Sequence, residues 1–429
     1  MSKSKFILLL AILSLMAMPV AVYAQTPTES TAAGLLDGAG TAVVSDDATL
    51  SDSVTVVMTG VTQPSDGTAY EGWLVSDDGS ARLSVGVMSI TSDGSISHTF
   101  DSSSEGYAGE DLIANYSLFE VTVEAVPDLE PASPGVTVYF DSIPSDGMTH
   151  IRHLTSNWPE GSSVGILTNL KAQLDIAISH AELAQNSETI EDVHSHMQHV
   201  VNVIEGEVGA NFNTSTSNPG DGIGIIAHAE DTKHATLAAD AVADDAVIGS
   251  HASLVIEAGT NIQNWVVKAR DSALSAIGTS NLALAKIYVG PGGGTVISGL
   301  QAARSGFDVN VDGTIGSGLS EGGAVHAYNE AQLMATYSLV AGSPEPLVTP
   351  TPIPVPTATP VPTPTPAPTA TPEPPTPTPS PLQPTAPGLP GVGDDAVPMV
   401  AQLGLLLAVV LLGAGGLFAM KGRRSRKNI

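Results

Sequence analysis

The chain of 429 residues has no cysteine. It therefore has no disulfide framework, no thiolate chemistry and no Cys-x-x-Cys-His attachment for a covalent haem. Cations are nearly as scarce. Between residues 25 and 390, 8 Lys+Arg face 42 Asp+Glu, a net charge of about −34. Nucleic acid and anionic membrane surfaces both need positive charge on their partner, so neither suits this region. Catalytic signatures are missing as well. There is no His-Glu-x-x-His and no Gly-x-Ser-x-Gly, and the Gly-rich stretches at 218–224 and 290–294 lack the Lys-Ser/Thr of a phosphate cradle. Asp221 lacks the alternating ligand spacing of an EF-hand loop. The sequence thus predicts a non-enzymatic protein.

The two ends of the chain carry the clearest signals. Segment 343–390 holds 20 of the 31 prolines, interleaved with Thr, and reads as a disordered, polyproline-like stalk. At ~3.1 Å per residue it could span up to ~150 Å. Residues 399–420 are apolar and uncharged, and Lys421, Arg423, Arg424, Arg426 and Lys427 follow. That order predicts a single transmembrane helix with residues 421–429 as a basic cytoplasmic tail. At the other end Lys3 and Lys5 precede the apolar run Phe6 to Met16, and Val22-Tyr-Ala24 supplies small residues at −3 and −1. Residues 1–24 read as a secretory signal peptide. The expected location is the cell membrane, with the ectodomain outside and the chain held by its own C-terminal helix. Leu389-Pro-Gly-Val-Gly393 resembles a degenerate sortase sorting signal, with Val392 where the cleaved Thr stands. A retained helix is expected, and cell-wall attachment is the alternative.

After a linker at 25–49, residues 50–142 read as β structure. Ser53-Val-Thr-Val-Val-Met58, Tyr70-Glu-Gly-Trp-Leu-Val75, Ala81-Arg-Leu-Ser-Val-Gly-Val87, Gly94-Ser-Ile-Ser-His-Thr-Phe100, Leu118-Phe-Glu-Val-Thr-Val123 and Gly135-Val-Thr-Val-Tyr-Phe140 alternate, with turn signals between them. Short strands so spaced predict an antiparallel β-sandwich, with His98 as a surface residue. The succession Tyr70-Glu-Gly-Trp-Leu-Val, Leu83-Ser-Val-Gly-Val-Met, Asp93-Gly-Ser-Ile-Ser and Phe119-Glu-Val-Thr-Val-Glu-Ala resembles the extracytoplasmic C-terminal domain of anti-sigma-K factors. The resemblance implies a fold and an outside location. It does not imply sigma-factor sequestration, because a signal peptide stands where those regulators have their sigma-binding domain.

Residues 145–342 form a second expected domain, a four- or five-helix bundle assigned to no family. It holds ten of the eleven histidines. Leu167, Leu170, Leu174, Ala177, Ala181 and Ala184 form one apolar stripe, and Ile190, Val193, Met197, Val200 and Ile204 a second. Further helices are expected at about 222–244, 246–277 and 321–339. The segment 206–221 is long and polar, so it is functional or mobile. Asp192, His196 and His199 stand at i, i+4 and i+7, within a ~60° arc of one helix face. They are candidate ligands for a divalent transition metal. His228, Asp231 and His234 on the neighbouring helix are further candidates, and His180 lies near the end of the first helix. Solvated histidines, haem ligation with Met197, or a pH-responsive surface are the competing readings. The expected function is a prokaryotic, surface-anchored acidic ectodomain that binds a ligand or metal ion or contacts an envelope component. A redox or metalloenzyme-like bundle is the alternative.

Overall fold

The computed structural model describes residues 38–316 and 320–344. The segments expected to be a signal peptide, a stalk (from residue 345), a membrane span and a basic tail lie outside the described residues. Among the described residues no helix is long and apolar enough to cross a membrane.

Eight antiparallel strands form one sheet: β1 (Ala39–Ser45), β2 (Ser53–Thr59), β3 (Thr68–Val75), β4 (Arg82–Met88), β5 (Ile96–Phe100), β6 (Leu118–Ala125), β7 (Val136–Ser142) and β8 (Tyr337–Ala341). Their order across the sheet is β4-β3-β6-β7-β8-β1-β2-β5. The two edge strands, β4 and β5, are consecutive in sequence. A bridge between Ile90 and Ile96 and a contact of His98 Nε2 with the Val85 carbonyl at 2.7 Å draw those edges together. The sheet is therefore a near-closed barrel and not the expected two-sheet sandwich. Curling one sheet covers its apolar face and leaves no long open edge. His98 is half-buried at that seam, where a freely exposed residue was expected. Inward-facing Val44, Val54, Val56, Leu74, Phe100, Phe119, Val121 and Tyr139 fill the interior.

All six expected strands are present. The other two fall in places the alternation did not mark: β1 in the segment read as a linker, β8 where the last helix was expected to end. β8 pairs with β7 and β1, so the helical segment returns to the sheet. At that join, Asp141 at the end of β7 accepts a hydrogen bond from the Ser338 N–H at 2.5 Å. Burial pushes the Asp141 carboxyl up to about 6, against the pull of the Ser338 and Ser142 N–H groups. A raised carboxyl pKa means the folded state binds the proton more tightly. Asp141 thus costs stability as pH rises from ~4 to ~6. Asp141→Asn is expected to narrow the gap between stability at pH 4 and at pH 7 by about 1–2 kcal/mol, read by urea unfolding at the two pH values.

The helices are α1 (Leu112–Asn115), α2 (Ser145–Thr155), α3 (Ile166–Asn186), α4 (Ile190–Glu205), α5 (Ile225–Glu230), α6 (His234–Ala241), α7 (Ala246–Ile277), α8 (Leu282–Val289), α9 (Val296–Ser305) and α10 (Ala324–Leu333). α3 buries Leu167, Leu170, Leu174, Ala177, Ala181 and Ala184, the stripe read from its spacing. The long α7 starts at Asp245, whose carboxylate accepts from the N–H groups of Val247 and Ile248, and it runs to Ile277 as expected. The helix expected at 222–244 is broken by a 3-10 turn at Asp231–Lys233, which separates α5 from α6. Strand and helix residues belong to one continuous buried apolar cluster. α2 and α10 both tie the helices to the sheet, and in α10 Gln332 donates to Asp46 and Ser51. In α2, Arg152 donates to both oxygens of Asp77 in the β3–β4 turn, at 2.6 and 2.8 Å, and to the Ile113 carbonyl at 2.8 Å. Met148, Ile151 and Leu154 of the same helix are fully buried.

Candidate metal centres

The α3–α4 hairpin turns over three residues, 187–189, so the two helices run antiparallel and side by side. This sets His180 of α3 opposite His196 and His199 of α4, and the three rings converge. His180 Nδ1 lies 3.1 Å from His196 Nδ1. The ring centroids are 4.6 Å apart for His180–His199 and 5.9 Å for His196–His199. His199 is oriented from behind: its Nε2 meets Ser217 Oγ at 3.0 Å. Its Nδ1 is buried and has no hydrogen-bond partner among the described residues. Burial, then the neighbouring His199 and His196, push the His180 ring down to about 4. Burial and His196 lower His199 as well. Both rings are thus neutral at pH 7, with a lone pair to offer.

Ser217 reaches His199 because the polar segment 206–221 is tied to α4. Buried Asn202 donates to the carbonyls of Asn213 and Thr216 and accepts from the Asn213 N–H. Glu205 accepts from the backbone and side-chain N–H groups of Asn211 at 2.6 and 2.7 Å. The two ends of the segment are clasped by the Glu207 N–H donating to the Gly222 carbonyl at 2.8 Å. Gly206 (φ 68°, ψ 178°) caps α4 where a Cβ would stand 2.1 Å from the Ile223 carbonyl oxygen. Only glycine suits that conformation and that approach.

A second trio forms between α2 and α6. His150 and His153 stand one turn apart on α2, and His234 opens α6. His234 Nδ1 faces His150 Nδ1 at 3.0 Å and His153 Nδ1 at 3.2 Å. Each ring nitrogen carries either one proton or one lone pair in its plane. The single in-plane proton or lone pair of His234 Nδ1 is therefore shared between two neighbours. A cation at the centre satisfies all three. Tetrahedral Zn–N bonds of ~2.0–2.1 Å place their nitrogens ~3.3 Å apart, close to these separations. Trp158 packs on the trio, with centroids 5.0 Å from His153 and 4.7 Å from His234. Burial, then His153 and His150, push His234 down to about 4.

The six residues proposed from sequence are thus dispersed. His196 and His199 meet each other and His180. His234 joins the other trio. Asp192 sits in the first turn of α4, where it accepts from the Thr189 hydroxyl at 2.7 Å as part of the helix cap, and is not a member of either trio. Asp231 lies 3.4 Å from Lys233. His228 is fully buried, with Nε2 2.6 Å from Asp221. Burial pushes Asp221 up, but His228 and the Ile223 and Gly224 N–H groups pull it below the usual range. The remaining histidines each have one partner: His194 the Thr279 carbonyl, His251 Glu330, His326 the Gly323 N–H. The spacing of His150 and His153 at i, i+3 was the available signal for the α2 pair. Its partner His234 is more than 80 residues away and needed the fold.

No curated protein and no solved structure shows a match to the chain. One family model matches, described as anti-sigma-K factor rskA, C-terminal, over residues 7–136. The match takes in β1 to β6 and the short α1, and ends at the first residue of β7, before α2. Over residues 7–136, which hold six of the eight barrel strands, the chain is similar to the anti-sigma-K factor C-terminal domain.

Proposed function

We propose that this protein is a membrane-associated extracytoplasmic head whose helices bind a divalent transition-metal ion through His180, His196 and His199. The observation that carries the reading is the convergence of three imidazoles from two helices, with one buried nitrogen, His199 Nδ1, that has no hydrogen-bond partner among the described residues. The donor set is nitrogen alone, which favours Zn²⁺, Cu²⁺, Ni²⁺ or Co²⁺ over Mg²⁺ and Ca²⁺. Ser217 supplies the outer contact that fixes a metal-binding imidazole in place. The family match accords with a membrane-associated regulatory ectodomain.

Equilibrium dialysis of the full chain against Zn²⁺ tests this. Replacing His196 and His199 together by Ala is expected to weaken one bound equivalent by more than ~100-fold, and Ser217→Ala alone by about 10-fold. Unchanged binding in the double variant would remove the site.

A further inference from the structure

The α2–α6 trio uses none of the residues of the α3–α4 centre. It also occupies a distinct place in the fold. α2 follows β7 directly and is fixed to the barrel by Arg152, the residue beside His153. α6 belongs to the helical portion, and the two helices pack closely enough that a Cβ on Gly147 would stand 3.2 Å from Val242 Cγ1. Three ring nitrogens from these two elements converge, with His234 Nδ1 3.0 and 3.2 Å from the other two. Among the described residues the trio is made of histidine alone, and nearby Asp231 lies beside Lys233. The indole of Trp158 covers two of the three rings.

We propose that His150, His153 and His234 form a second centre for a Zn²⁺-class ion, and that the ion latches the barrel-anchored helix α2 onto α6. Ligands so far apart in sequence make the ion a cross-link between α6 and α2, the helix that Arg152 ties to the barrel. Binding to the joined arrangement alone shifts the population toward it. Occupancy of the junction is then communicated to the barrel through Arg152 and Asp77. Nitrogen-only coordination selects a borderline d-block cation and disfavours Ca²⁺ and Mg²⁺.

The test uses the full chain carrying His196→Ala and His199→Ala, so that the junction trio is read without the other centre. Co²⁺ is titrated while tryptophan emission is followed. The expected result is saturable quenching at one equivalent, abolished by His150→Ala, whose ring is half-buried, and by His234→Ala. Trp158→Phe is expected to remove most of the quenching while the visible bands of tetrahedral Co²⁺ remain, because Trp73 and Trp265 do not touch the trio. Zn²⁺ is expected to slow amide exchange across α2 at least ~10-fold in this background, and not in the His150→Ala form. Absence of a one-equivalent titration, or one that survives His150→Ala, overturns the site. Binding that leaves exchange in α2 unchanged overturns the latch.

Discussion

Saturating the full chain with Zn²⁺ is expected to raise its thermal midpoint by about 5–15 °C, and a chelator is expected to reverse the rise. An ion that binds only the folded state at 1,000 times its Kd contributes about 4 kcal/mol. For a folded region of this size that converts to several degrees per occupied centre. Each trio joins two helices, α3 to α4 and α2 to α6, so neither is preformed in the unfolded chain. The rise should shrink by about half in the His196→Ala, His199→Ala form and vanish when His234→Ala is added. Differential scanning calorimetry with and without zinc measures it. A midpoint that does not move would mean that the rings converge for packing alone.

Gly206→Val is expected to destabilise the protein by about 3–5 kcal/mol. Two terms add. The backbone at φ 68° and ψ 178° is essentially closed to a β-branched residue, at about 1–3 kcal/mol. The added Cβ would meet the Ile223 carbonyl oxygen at 2.1 Å, and relieving such a clash costs about 1–3 kcal/mol more. Relief would come by opening the clasp between Glu207 and Gly222, which holds the segment carrying Ser217. The variant should therefore also lose zinc affinity at the α3–α4 centre, while Trp158 still reports binding at the junction. Urea unfolding and the two metal readouts separate the effects. Wild-type stability would show that the clasp does not hold the segment.

Much of the fold was legible because it is local. Six strands alternate with period two, and the apolar stripes of α3, α4 and α7 repeat at helical spacing. What was illegible depends on pairing across the chain. Barrel closure rests on β4 and β5 meeting at opposite edges, and β8 is only five residues long, too short for its period to be told from a helix end. The 3-10 break before His234 has no Pro or Gly to mark it.

The candidate site divides along the same line. His196 and His199 were readable as one helix face. Asp192 shares that face, but the capping Thr189 three residues earlier claims it, and that Thr-x-x-Asp spacing was the sign of a cap and not of a ligand. His180 required the hairpin register. His150 and His153 required knowing that α2 lies against α6. Asp231 and His228 went to nearer partners, Lys233 and Asp221.

X-ray absorption at the zinc edge, on the full chain loaded with two equivalents, tests the central claim most directly. Histidine trios predict about three imidazole nitrogens per zinc at ~2.0–2.1 Å, with the outer-shell scattering of the rings. Replacement of His196, His199 and His234 by Ala should erase that imidazole signal. A shell of oxygen ligands without ring scattering, or one unchanged by those substitutions, would contradict the account.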